Sequence, residues 1–158
     1  MDRFIIVDSH NSEYIGIIFH ILRKCGYNMA LTKRLFHWIP SYSKRNIRRD
    51  CQTKTVVLVW NEELNDYTST FQMYKNSDSS LYIRKIATLP QYEGKGIGKR
   101  NLLYIEQFAI KNGCSRICLD VYIKSKGAIS FYSHLGFKEV GTKCSIRFKE
   151  LIMKKQLD

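Results

Sequence analysis

Between Glu93 and Arg100 the chain reads Glu-Gly-Lys-Gly-Ile-Gly-Lys-Arg, with glycines at 94, 96 and 98. The apolar run Leu81–Thr88 before it has the character of a strand, and Lys99–Asn112 after it has the spacing of a helix. A backbone threaded through three alternate glycines turns tightly and leaves successive N–H groups unscreened by side chains. A helix starting directly afterwards adds its own unpaired donors and the positive end of its dipole. The chain is thereby held to an α/β class with an anion cradle at a strand-to-helix junction, and Lys95, Lys99 and Arg100 add cations around it. The simplest ligand is a pyrophosphate. Two common phosphate loops do not fit: the P-loop needs four residues between its glycines and a hydroxyl after the lysine, where Arg100 stands, and GxGxxG lacks its last glycine here.

At 158 residues the sequence reads as a single domain over 1–158. No run approaches the ~20 apolar residues of a membrane span, and no signal peptide is visible. Five cysteines in irregular spacing point to reduced thiols and a cytoplasmic location. The four histidines are scattered singly, so no metal is expected.

The coarse order is a first strand at Arg3–Val7, then a helix from Asn11 or Ser12 to about Lys24, stopped by Cys25-Gly26. Leu31–Ile39 reads as a short second helix stopped by Pro40, and the basic stretch Ser43–Cys51 as another helical turn. Strands follow at Thr55–Trp60, Tyr67–Tyr74 and Leu81–Thr88, then the helix after the glycine loop, a strand at Arg116–Tyr122, a helix at Ser125–Leu135, and strands near Phe137–Thr142 and Ile146–Met153. That is mixed α/β with about seven strands and no internal repeat.

Pro90-Gln91-Tyr92-Glu93-Gly94-Lys95-Gly96-Ile97-Gly98 resembles the acetyl-CoA loop of the GCN5-related N-acetyltransferases, Q/R-x-x-G-x-G/A after a strand and a proline. About thirty residues on, Ile117–Val121 and Ala128-Ile129-Ser130-Phe131-Tyr132-Ser133-His134-Leu135-Gly136-Phe137 resemble that family's late strand, tyrosine-bearing helix and closing Leu-Gly-Phe. The likeness covers residues 80–155 well. It implies a mostly antiparallel central sheet flanked by helices, and transfer of acetyl from acetyl-CoA to a primary amine by direct attack. It implies that backbone groups of Ile86, Ala87 and Thr88 pair with the pantetheine arm, and that Glu93, Gly94, Lys95, Gly96, Ile97, Gly98 and Lys99 hold the pyrophosphate. Tyr132 matches the tyrosine that protonates the departing thiolate. A phenol of pKa ~10 stays protonated at neutral pH and can do so. Tyr132 equally fits an ordinary buried stripe, with Ala128, Phe131 and Leu135 at helical spacing.

Two positions depart from the family pattern. Glu93 replaces Gln or Arg, and Ser125 replaces a common Asn, keeping one donor and a helix-capping hydroxyl. The general base is not visible: Arg84 and Lys85 fill the strand region where many members carry Glu, and Glu62, Glu63 and Asp120 qualify by type alone. The charge, 26 Lys and Arg against 14 Asp and Glu, favours anionic partners. An amine on an anionic carrier is one reading of it. A non-catalytic acyl-CoA-binding regulator and a toxin acting on aminoacyl-tRNA are alternatives. Nucleic-acid binding is admitted by the charge, though no RNA-binding signature accompanies the basic clusters. Monomer and homodimer stay equally open.

Overall fold

The computed structural model describes residues 1–158, as seven strands and four helices. In chain order these are β1 (Asp2–Ile6), α1 (Ser12–Lys33), α2 (Lys44–Thr53), β2 (Thr55–Asn61), β3 (Asp66–Lys75), β4 (Ser80–Thr88), α3 (Ile97–Lys111), β5 (Arg116–Tyr122), α4 (Lys126–His134), β6 (Lys138–Cys144) and β7 (Lys149–Gln156). A 3-10 turn, Pro90–Tyr92, joins β4 to the glycine loop. The strands form one sheet in the order β1-β2-β3-β4-β5-β7-β6. Pairs β1/β2, β2/β3, β5/β7 and β6/β7 are antiparallel, and β4/β5 is parallel. The parallel pair requires a crossover, which α3 supplies, so the glycine loop sits at the start of a strand-helix-strand unit. No helix is long and apolar enough to cross a membrane.

The chain divides into two compact units. The first comprises Met1–Tyr74 with Lys85–Ile97. Its core gathers Ile15, Ile18, Ile21, Leu22 and Cys25 from one face of α1, Ile47 from α2, Val56 and Leu58 from β2, and Ala87 and Leu89. Each fully buried isoleucine contributes ~1.5–3 kcal/mol. Asn11 caps α1 by accepting the N–H of Tyr14 at 3.0 Å.

The expected stop at Cys25-Gly26 is not used: α1 runs on to Lys33 and ends at Arg34, which is left-handed. Gly26 serves close packing instead, since a Cβ there would lie 3.2 Å from the Trp38 carbonyl oxygen. The expected helix Leu31–Ile39 is also corrected. Its first residues belong to α1, and residues 34–43 are irregular chain with a cis Ile39–Pro40 bond. Ser43 caps α2 as the serine-led start of the basic stretch suggested, accepting from the Asn46 N–H at 3.1 Å.

The second unit comprises Lys75–Arg84 with Gly98–Asp158. Ser80–Ile83 of β4 pair with Arg116–Leu119 of β5. Leu102, Ile105, Ala109, Ile117, Leu119 and Met153 are buried in this unit. The last hairpin is shifted one to three residues beyond its expected span, and Ser145 closes its turn by accepting the Phe148 N–H on its hydroxyl at 3.0 Å. All seven residues of β6, at the sheet edge, are exposed.

Candidate active site

The three loop glycines answer two different needs. Gly94 and Gly96 both have φ +77°, a conformation that costs a residue with a Cβ ~1–2 kcal/mol. A Cβ on Gly94 would meet nothing within 4 Å, so that stretch of backbone lies open to an approaching group. Gly98 lies inside α3, which starts two residues earlier than the sequence suggested. A Cβ there would come within 3.1 Å of the Phe131 ring. The first turn of α3 has no acidic residue, and Lys95, Lys99 and Arg100 beside it are exposed. The loop therefore combines exposed backbone, a helix start and cations, as an anion cradle requires.

In the first unit, Tyr92 fixes the approach to this loop by donating its hydroxyl to Asp66 at 2.5 Å. Glu93 is exposed and ends the 3-10 turn, with its N–H reaching the Pro90 carbonyl at 3.3 Å. Thr88 and Ile86 are half-buried and Ala87 is buried. The thiol of Cys25 donates to the Thr88 carbonyl at 3.1 Å. Burial, and then the charge of Glu93, pushes that thiol up to about 12, which keeps it a neutral donor. Leu89 is tied to β3 through its N–H and the Thr68 carbonyl, at 2.8 Å. The β4/β5 ladder ends at Ile83, and two residues on Lys85 is left-handed, with φ +53°. The break in strand geometry therefore falls at Lys85, directly before the Ile86–Thr88 backbone that the family resemblance assigns to the pantetheine arm.

In the second unit, Ser125 is buried and precedes α4. Its hydroxyl makes no capping bond, contrary to the capping role expected from sequence. Its N–H donates to the Tyr122 carbonyl at 2.8 Å instead. Tyr132 stands edge-on to Phe131 and Phe137, with ring centroids 5.3 and 5.6 Å away. Burial alone raises the pKa of its phenol, so the hydroxyl stays protonated. None of the α4 residues is fully buried, so the Ala128–Leu135 stripe is not a sealed core face.

The three carboxylates that fitted a base by type are all in ion pairs. Glu62 accepts from Arg3 at 2.8 Å, Glu63 lies 3.7 Å from the N-terminal ammonium, and Asp120 lies 2.5 Å from Lys143.

Sequence reasoning missed a cleft of about 50 Å³ in the first unit, lined by Leu22, His37, Trp38, Pro40, Tyr42 and Lys85. The Lys85 ammonium lies 4.4 Å from the centre of the Tyr42 ring and 5.4 Å from that of Trp38. Burial, and then the charge of Lys85, pushes His37 down to about 4, so its ring is neutral at physiological pH. Tyr42 is held from behind by donating to buried Asp50 at 2.6 Å. Asp50 also accepts from Gln72 at 3.0 Å and Lys54 at 3.3 Å. The adjacent aromatics and proline in 36–42 were the signal for such a site, but their helical reading concealed it.

The family described as "Acetyltransferase (GNAT) family" matches residues 10–137. The mouse thialysine N-epsilon-acetyltransferase is 33% identical over 61 residues, 39% of this chain and 36% of that protein. A probable N-acetyltransferase of Drosophila melanogaster, san, is 42% identical over 64 residues, 40% of this chain and 35% of that protein. The chain thus spans about a third of the length of these curated relatives. Among solved structures, the PaiA N-acetyltransferase of Thermoplasma acidophilum, in complex with coenzyme A, superposes with a TM-score of 0.81 over 99% of both chains at 18% identity. The ribosomal-protein-S18-alanine N-acetyltransferase of Escherichia coli gives 0.77 over 99% of this chain and 94% of its own, at 16% identity. These two likenesses are of fold.

Proposed function

The chain belongs to the GNAT family of acetyltransferases, and on that premise we propose that residues 1–158 act as one N-acetyltransferase domain that moves the acetyl group of acetyl-CoA to a primary amine. The observation that carries this reading is the pair of left-handed, exposed glycines, 94 and 96, directly before α3. In the proposal, the amides of Gly94 to Lys99 bind the diphosphate, with Lys95 and Lys99 adding charge. The exposed Glu93 is tolerated because backbone groups do the gripping. Backbone groups of Ile86, Ala87 and Thr88, beyond the end of the β4/β5 ladder, pair with the pantetheine arm as an added strand would. Ser125 contributes a hydroxyl, which no cap occupies.

The chemistry is a direct displacement. The neutral amine forms a bond to the thioester carbonyl carbon, the carbon–sulfur bond breaks, and the sulfur leaves with the electron pair. Tyr132 supplies the proton that the sulfur gains. Burial keeps the phenol protonated but makes it a weaker acid, so the proton passes only as the sulfur takes on full thiolate charge. The amine's surplus proton leaves through water, which also returns a proton to Tyr132; Glu62, Glu63 and Asp120 each face a cation, which lowers their basicity.

That last point also motivates a second reading, an acyl-CoA-binding regulator without turnover. The mouse relative is named for thialysine and a Vibrio cholerae chimera of similar fold for spermidine, and a primary amine is what the proposal takes from them. A reducing compartment such as the cytoplasm suits the five free thiols. Thiol release from acetyl-CoA across a panel of amines, peptides and aminoacyl-tRNA separates the readings. Release that vanishes in Tyr132→Phe is the expected result. Tight acetyl-CoA binding with no release from any acceptor would establish the regulator instead.

A further inference from the structure

We infer that the cleft at Lys85 receives an anionic group of the acceptor, so that the acceptor is a small zwitterion, an amine carrying a carboxylate or a phosphate, and not a polyamine; this rests on the acetyltransferase reading. On a regular strand Arg84 and Lys85 would point to opposite faces. The left-handed Lys85 breaks that alternation, and it is Lys85 that lines the cleft. A lysine at φ +53° is strained by ~1–2 kcal/mol, and strain of this kind is kept where a side chain must be aimed. The ammonium is aimed across the faces of Tyr42 and Trp38, which fix it and remove part of its water.

The surroundings select for negative charge. None of the residues lining the cleft is acidic, and His37 is neutral. Asp50, the buried carboxylate of this unit, lies behind the Tyr42 hydroxyl and is met by Lys54 and Gln72. Residues 31–49, which supply most of the cleft wall and the first six residues of α2, carry Lys33, Arg34, Lys44, Arg45, Arg48 and Arg49, with Asp50 the first acid after them. Such a field attracts anions and repels polycations. A cleft of about 50 Å³ holds a single carboxylate or phosphate head. It also lies beside the strand end assigned above to the coenzyme. Lys85 directly precedes Ile86, and Leu22 is one helical turn from Cys25, whose thiol holds the Thr88 carbonyl.

The test uses matched pairs that differ by the anion: lysine against cadaverine for carboxylate, and O-phosphoethanolamine against ethanolamine for phosphate. The chain has two tryptophans, so a Trp60→Phe background leaves Trp38, in the cleft, as the single reporter. Emission is titrated on the full chain saturated with coenzyme A, and thiol release from acetyl-CoA is measured with the same four compounds. The anionic member of at least one pair is expected to bind about tenfold or more tightly than its partner, the ratio that one partly buried ion pair supplies. The discriminating pair identifies carboxylate or phosphate. Lys85→Met should erase the ratio by raising KM with little change in kcat, and Lys85→Arg should keep it. Equal or tighter binding of cadaverine and ethanolamine overturns the inference, and so does a Trp38 signal that none of the four compounds moves. Discrimination without any thiol release would sink the transfer reading and leave the anion subsite standing. Thiol release that favours the plain amines would do the reverse.

Discussion

Gly94 and Gly98 lack a side chain for unlike reasons, and substitution separates them. Gly94→Ala meets open space but a forbidding φ. We expect ~1 kcal/mol lost in stability and a several-fold weaker acetyl-CoA association, read by calorimetry. Gly98→Val meets the Phe131 ring, so its effect should be a fall in melting temperature, relieved in part by Phe131→Leu in a double-mutant cycle. Tyr132→Phe removes one hydroxyl from a ring whose aromatic contacts persist. Thiol release should fall ~10²-fold with the melting temperature unchanged, and undiminished turnover would remove Tyr132 from the mechanism. The residues of the coenzyme loop were legible because backbone freedom is written directly into the sequence as glycine. Lys85 was legible only as one of a pair, because which of two neighbouring cations enters a cleft depends on a single left-handed dihedral that lysine does not advertise.

Elements were readable wherever local pattern and tertiary context agreed. Strands β2, β4 and β5 were placed to within a residue, β2 by its continuous β-branched run, and α3 to within two by its period. Failure came at α1, where Gly26 has the look of a helix end but is needed for the approach of Trp38. Residues 34–43 failed for the same reason: their apolar spacing serves a cleft and a core, not a helix face. This irregular stretch carries a pH signature. His37 has its folded pKa at about 4, below the ordinary 6.5. Above pH ~6.5 the ring is neutral whether folded or not, and the full stability is present. As pH falls from there towards 4, the unfolded chain takes up a proton that the folded chain refuses, and stability declines. Denaturant midpoints measured between pH 7.5 and 4.5 should drop more for the native chain than for His37→Gln. Equal slopes would place the titrating group elsewhere. Behind the same stretch, Asp50→Ala should cost ~2–3 kcal/mol, because it strands Tyr42, Gln72 and Lys54 at once.

Across the whole molecule the net charge of +12 sets long-range behaviour. Acetyl-CoA association should weaken several-fold between ~0.05 and ~0.5 M salt, as the Debye length shrinks towards a few ångströms. A flat salt response would mean that neutral amides alone hold the ligand. The sheet and its helices together leave a fold of this size only ~5–15 kcal/mol more stable than its unfolded chain. Against so narrow a margin, one lysine with a left-handed backbone is a noticeable burden. Lys85→Gly should lift the melting temperature by a few degrees, because glycine accepts that dihedral without strain, and the same change should leave the protein indifferent to which amines it meets. A sturdier, less discerning version of this protein thus lies a single substitution away, and selection for durability alone would find it.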